Sequence, residues 1–230
     1  MSNRILWRRA AALLCLLCLP ACGAMKQEVR KRTGVDVPTG SASGPEKPDH
    51  KYYTVEVPSI PKTVDEYVAL RDSLATTPAG GAVMMAVALI VYSSDVPTGL
   101  QCLTVALDQH WLNDGKEGYK GKQPRGIYIQ QWRERIGRFP HIPRSYVQGT
   151  TPQNGYALPP GGPYVFNIKE QVGDVELSTA RIFIECTGAD HPRPVRVKKN
   201  NRGIWKADEW SSLEVGIRAP VDPKKADDDL

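Results

Sequence analysis

The sequence predicts an α+β domain in which an N-terminal helical half of about four helices packs on a C-terminal antiparallel sheet of about five strands. Two observations carry that expectation. Apolar residues recur at helical spacing behind two strong helix starts in the first half, and short β-rich runs separated by turn residues fill the second. Helices followed by strands, in one stretch of about 51–221 without an internal repeat, describe a single core with helices on one face of a sheet.

The elements follow in order. Tyr53-Thr54-Val55-Glu56-Val57 reads as an added edge strand. Thr63, with Glu66 three residues on, forms a capping-box pattern, and Val64, Tyr67, Val68, Arg71 and Leu74 keep a helical stripe. Thr77 caps a second helix with Pro78 at its first position, and the run from Ala82 to Tyr92 is apolar on every side, which predicts a buried central helix. Gly80-Gly81 at its start is read as a close helix packing point. Leu100 to Leu107 continues as a shorter helix, and Ile127 to Ile136, with Trp132, is a fourth. The expected strands are Tyr164 to Ile168, Arg181 to Cys186, Val195 to Lys198, Gly203 to Lys206 and Leu213 to Ile217. Asn200-Asn201-Arg202-Gly203 is the turn between the third and fourth.

Ahead of this body, Arg4, Arg8 and Arg9 precede an apolar run from Ala10 to Leu19, followed by Pro20, Ala21 and Cys22. A charged start, a short apolar stretch and a small residue make a secretory signal peptide over 1–21. The run is well short of the roughly 20 apolar residues a membrane-spanning helix needs. Leu19-Pro20-Ala21-Cys22 resembles the lipobox of bacterial lipoproteins, with Pro20 as its one departure from the usual small or β-branched residue. The resemblance implies cleavage before Cys22, a diacylglycerol thioether on its sulfur and an acylated amine, palmitate being a usual chain. Cys15 and Cys18 each follow a leucine and lack the small neighbour. Gly23, where retention in the inner membrane favours Asp, implies an outer-membrane lipoprotein if the envelope has two membranes. Residues 22–50, polar and rich in Pro, Gly and Ser, read as a flexible linker with an r.m.s. span of roughly 30 Å. The acidic end, 222–230, reads as a disordered tail.

Charge excludes one class of partner. The signal takes three of the 30 basic residues and none of the 25 acids, so the remainder stands at 27 against 25, a formal +2. A nucleic-acid binder carries a strongly basic domain or stripe, and nucleic acid is not an expected partner.

Catalytic and metal chemistry find little support. The four histidines, His50, His110, His141 and His191, are scattered without ligand spacing, so no metal or other cofactor is expected. Asp108 with His110, Asp190 with His191, and the pair Asp208-Glu209 read as solvated loop, turn or helix-end residues. Cys102 and Cys186 are the two cysteines of the body. They read either as one disulfide tying helices to sheet or as two separate buried thiols. A nucleophilic Cys102 with His110 as its base needs an exposed thiol and a third orienting group, and Cys102 sits in an apolar run.

What remains is surface. Arg193, Arg196, Lys198, Lys199, Arg202 and Lys206 crowd the predicted hairpin and make one side of that ribbon positive, a possible contact for an anionic partner or simply a solvated face. Trp205, Trp210 and Tyr164, beside the Pro-rich loop from Leu158 to Pro163, read mainly as core aromatics.

Tyr53 to Tyr92, Arg144-Ser145-Tyr146, Gly149-Thr150-Thr151-Pro152, Asn154-Gly155-Tyr156, Arg202-Gly203-Ile204-Trp205 and Trp210-Ser211-Ser212-Leu213 resemble a bacterial domain family of unknown function. The resemblance implies a shared fold and assigns no catalytic residue. The expected function is therefore a membrane-anchored envelope lipoprotein. Its body acts as a non-catalytic module for a protein, lipid or polymer partner, and the alternative is an envelope hydrolase with a site assembled from distant residues.

Overall fold

The computed structural model describes residues 53–173 and 176–222. The expected signal peptide, Cys22, the expected linker and the expected acidic tail beyond Asp222 lie outside the described residues.

Strand β1 (Tyr53–Val57) comes first and leads into helix α1 (Val64–Leu74). The Thr63 hydroxyl accepts from the Glu66 N–H at 3.2 Å, and the Glu66 carboxylate accepts in turn from the Lys62 N–H at 2.7 Å. Two donors that the helix cannot satisfy are thus used at its start. Helix α2 (Pro78–Ser94) is capped by Thr77, which accepts from the Gly80 N–H at 3.1 Å, and helix α3 (Val96–Ala106) by Asp95, which accepts from Thr98 N–H at 3.1 Å. A hairpin of β2 (Leu112–Tyr119) and β3 (Lys122–Pro124) follows, then α4 (Gly126–Arg135) and the short α5 (His141–Arg144). Strands β4 (Tyr164–Val172), β5 (Thr179–Ile184), β6 (Arg193–Lys199) and β7 (Trp205–Glu209) complete the regular structure of the described residues, with 3₁₀ turns at Gln109–Trp111 and Ser211–Glu214.

The five-stranded sheet has the order β1-β4-β5-β6-β7, and every neighbouring pair is antiparallel. The edge at β7 is not left open. Leu107 bridges Ala207, and the Asp108 N–H donates to the Ala207 carbonyl at 2.8 Å.

This order corrects the expected division into a helical half followed by strands. Helices and strands are interleaved. β1 precedes every described helix yet pairs with β4, and the β2–β3 hairpin separates α3 from α4. The hairpin stretch, Leu112 to Pro124, is nearly devoid of β-branched and alternating apolar residues, so its strand character is not visible as a pattern. It is imposed by Lys120 and Gly121, which take left-handed backbone angles (φ 50° and 76°) and fold the strands back on each other. The expected fifth strand at Leu213 to Ile217 is also absent. Leu213 and Glu214 are buried side by side, which breaks the alternation, and Gly216 has φ 68°.

α2 is the core. Fifteen of its residues, from Pro78 to Tyr92, are buried. It lies against β5, β6 and β7 on one side and α1, α3 and α5 on others. The sheet meets it with Ala180, Ile182, Ile184, Val195, Val197 and Ala207, each 3% exposed or less. Full burial of a Val, Leu, Met or Ile side chain contributes about 1.5–3 kcal/mol, so this helix supplies the largest share of the buried core of any one element. Gly81 permits the approach to the sheet, since a Cβ there would lie 2.6 Å from the Trp205 Cβ. Gly99 permits α3 to touch α2, where a Cβ would lie 2.1 Å from the Tyr92 Cα. The partner of Gly81 is therefore a strand and not a helix.

Candidate functional site

The β6–β7 ribbon carries the six cations singled out in the sequence, and the structure divides them. Residues alternate along β6, so Val195 and Val197 point into the core while Arg196 and Lys198 share the outer face. Asp208 of β7 stands on that same face with its side chain fully buried. Its carboxylate accepts from Arg196 Nε at 2.6 Å, while Lys198 Nζ at 3.0 Å and His110 Nε2 at 3.3 Å lie at ion-pair distance without hydrogen-bond alignment. Arg196 also reaches Glu209 at 2.8 Å. Arg193 is held too, donating from Nη2 to the Gly216 carbonyl at 2.9 Å.

Asp208 thus turns part of the expected positive face, Arg196 and Lys198, into a closed ion cluster. His110 is part of it. Its Nδ1 meets Asp108 at 2.7 Å, its Nε2 faces Asp208, and its ring lies 4.2 Å from that of Trp111, centroid to centroid. Burial works to raise the Asp108 carboxyl. Hydrogen bonds from the His110 ring and backbone, with the charges of His110 and Lys198, nevertheless hold it below the usual carboxylate range. With Nδ1 held by Asp108 and Nε2 facing the Asp208 carboxylate, the His110 ring is directed into the ion cluster.

The other end of the ribbon differs. Among the described residues, Lys199, Arg202 and Lys206 have no carboxylate within ion-pair distance. Lys206 is the most constrained of them. Its ammonium donates to the Val105 carbonyl at the end of α3. Burial first, then the positive charges of Arg71 and Arg202, push it down to about 8, against the opposing pull of Asp108 and Asp72.

Two adjoining cavities open here. One, of about 330 Å³, is lined by Val68, Arg71 and Asp72 of α1, Thr104 and Val105 of α3, Leu112, Tyr119, Lys120 and Lys122 of the hairpin, and Arg202 and Lys206. The second, of about 520 Å³, shares Thr104, Leu112, Arg202 and Lys206 and adds Leu107, Asp108, Gln109, Asn200 and Asn201. Both volumes fall in the range of small-molecule sites.

Arg71, Lys120 and Lys122 were not legible as part of a site. Arg71 lay in the apolar stripe of α1, and the two lysines lay in a hairpin without a strand pattern; the turn-forming Lys120-Gly121 pair was the one available signal. Asp208, read from sequence as a turn carboxylate, is instead the buried anion that organises the outer face.

Cys102 and Cys186 are both buried free thiols. Cys102 sits on α3, where burial first and the charge of Asp95 next push its thiol up to about 12, so it is no nucleophile at neutral pH. Cys186, just past β5, lies 3.2 Å from the Ser145 hydroxyl. Trp205 and Trp210 are buried. Trp210 packs against Trp111, Tyr128 and Trp132, and Trp132 Nε1 donates to the buried Glu214 carboxylate at 2.8 Å. Asp190 pairs with Arg218 and not with a catalytic histidine. Among the described residues no three of His, Cys, Asp and Glu converge as metal ligands, and no helix is long and apolar enough to cross a membrane.

Comparison with known proteins adds no activity. No curated protein and no solved structure matches this chain. Residues 59–221 match a domain family of unknown function, DUF6935, a span that covers the sheet from β4 to β7, the five described helices and both cavities, and the chain belongs to that family.

Proposed function

We propose that this protein is a lipid-anchored envelope protein whose folded body is a non-catalytic module for an anionic partner, met at the turn end of the β6–β7 ribbon. The observation that carries the binding reading is the division of the ribbon's cations. Arg196 and Lys198 are neutralised by Asp208 and Glu209, whereas Arg202 and Lys206 face two concave sites without a carboxylate partner among the described residues. Support for the anchor comes from the basic, apolar and small-residue sequence that ends on Cys22, and from the polar linker behind it. Two or more acyl chains suffice for stable attachment, each buried methylene contributing about 0.8 kcal/mol. Gly23 favours the outer membrane where there are two.

Two measurements test the proposal. Cys22→Ala should move the protein from the membrane to the soluble fraction and abolish labelling by a fatty-acid probe; labelling that persists overturns the anchor. Full-length protein in non-ionic detergent should be retained on immobilised dextran sulfate in a salt-dependent way. Arg202→Glu combined with Lys206→Glu should abolish retention while Arg196→Gln preserves it, and the opposite pattern overturns the binding surface.

A further inference from the structure

Resting on the anionic-partner reading, the geometry points to the ligand itself: we infer that the paired cavities bind a phosphomonoester on a hydroxyl-rich body, the phosphate between Arg71, Lys120, Arg202 and Lys206 and the hydroxyls against Gln109, Asn200 and Asn201.

The smaller cavity is a convergence of cations from separate parts of the fold. Arg71 comes from α1, Lys120 and Lys122 from the β2–β3 turn, Arg202 from the β6–β7 turn and Lys206 from β7. Among the described residues, two of the five have a carboxylate at ion-pair distance and three do not. Lys122 is taken by Asp114 at 2.5 Å, and Arg71 Nε lies 2.8 Å from Asp72 but is not aligned with it, so that this N–H is buried without a hydrogen-bond partner. Arg202 and Lys120 have no acidic partner among the described residues; Lys120 lies over the Tyr119 ring, its ammonium 5.2 Å from the centroid. The Lys206 ammonium uses one of its three donors on Val105 and keeps two. Guanidinium forks together with ammonium point charges match the several oxygens and nearly double charge of a phosphomonoester better than the single charge of a carboxylate.

The larger cavity has a different character. It contributes amides and one carboxylate, the donor and acceptor mixture that recognises hydroxyl groups. The Asn200 side-chain amide oxygen, Oδ1, accepts from the Arg202 and Ile204 N–H groups, each at 3.0 Å, which fixes the turn and leaves its NH₂ as a donor. Arg202 and Lys206 line both cavities, so one molecule can place an anion in the first and a polyol in the second.

Calorimetry on the full-length protein in non-ionic detergent tests this, with glucose 6-phosphate as the probe. We expect saturable binding that glucose does not reproduce and that inorganic phosphate reproduces about tenfold more weakly. Arg202→Ala, on an exposed turn, and Lys206→Met should each weaken it about tenfold or more, and Arg196→Ala less than about twofold. Failure to bind the sugar phosphate overturns the inference, as does binding indifferent to Arg202→Ala. Equal affinity for inorganic phosphate overturns the hydroxyl half. Displacement of the probe by phosphatidic acid in mixed micelles with the same detergent, but not by phosphatidylglycerol micelles, assigns the phosphomonoester to a lipid headgroup; micelles without effect assign it to a sugar phosphate. If retention on dextran sulfate still depends on Arg202 and Lys206 while no phosphomonoester binds, the inference falls and the anionic-partner reading stands. Loss of both removes the reading as well.

Discussion

The two ends of the β6–β7 ribbon carry the same type of side chain and use it in opposite ways. At the end holding Arg196 and Lys198, a fully buried carboxylate from the neighbouring strand pulls the cations onto the sheet, and Glu209 closes the cluster from the solvent side. At the turn end, Lys206 is itself the buried partner and the groups nearest to it include two guanidiniums, Arg71 and Arg202. Charge that is matched on the sheet is structure; charge that is crowded with its own sign is available to a ligand. Lys198 stands opposite Lys206 itself in the β6–β7 register, so the difference depends on which cations reach the buried Asp208, and not on the density of Lys and Arg along the chain.

The sharpest way to break this contrast is to remove Asp208. Asp208→Ala leaves Arg196, Lys198 and His110 facing one another without their shared anion. Uncompensated buried charge is among the costliest changes a fold can suffer, but Arg196 and Lys198 are 37% and 40% exposed and can recover water. We expect a loss of about 2–3 kcal/mol in urea unfolding. The freed cations should also strengthen retention on dextran sulfate. Unchanged stability would mean that the outer face does not need its anion.

The next effect is smaller and comes from Lys206. Its folded-state pKa of about 8 lies below the ordinary lysine value of 10.5. Between those two pH values the unfolded chain holds a proton that the folded chain has released, so stability rises with pH across that window, while below about 8 the cost of the buried charge is present in full. The groups facing the amine are Arg71 and Asp72 of α1, Asp108 after α3, Lys120 and Lys122 of the hairpin, and Arg202 of the turn. Lys206→Met removes the titrating group. The wild type should therefore gain on the order of 2 kcal/mol relative to Lys206→Met between pH 8 and 10. Denaturant melts of the two proteins at pH 7, 8, 9 and 10 measure it, and parallel profiles would show that Lys206 titrates normally.

The same contrast explains how far the sequence could be read. α1 and α2 announce themselves through Thr63, Thr77 and Pro78, because capping is local chemistry that needs no tertiary context. The apolar alternation of β5 and β6 is equally local. The placement of β1 beside β4 is not, since a strand at the start of a chain carries no mark of its partner. Nor is the β2–β3 hairpin, whose residues pair through turn geometry without a β-rich composition. The cation cluster illustrates the limit best. Arg193 to Lys206 could be picked out as basic, but the pairing of Arg196 and Lys198 depends on the burial of Asp208 on their face, and the cavity at Arg202 and Lys206 depends on Arg71 and Lys120, which the fold delivers from α1 and the β2–β3 hairpin.

The smallest predicted effect tests whether the closed end is rigid or only crowded. Arg196 sits between two carboxylates, Asp208 beneath it and Glu209 beside it, and only the second is open to solvent, its side chain 51% exposed. An ion pair so exposed is screened by water and salt, and holding two long side chains in one geometry costs entropy, so its net contribution falls in the range of about 0.2–1 kcal/mol. A double-mutant cycle of Arg196→Ala and Glu209→Ala should return a coupling of that size, and it should shrink by about half between 0.05 and 0.5 M salt. The cycle of Arg196→Ala with Asp208→Ala should be larger and nearly indifferent to salt, because one of its carboxylates is wholly out of water. Equal couplings in the two cycles would show that burial of Asp208 does not distinguish them. The closed end would then owe its neutrality to the number of acids nearby and not to the one that β7 places under the sheet.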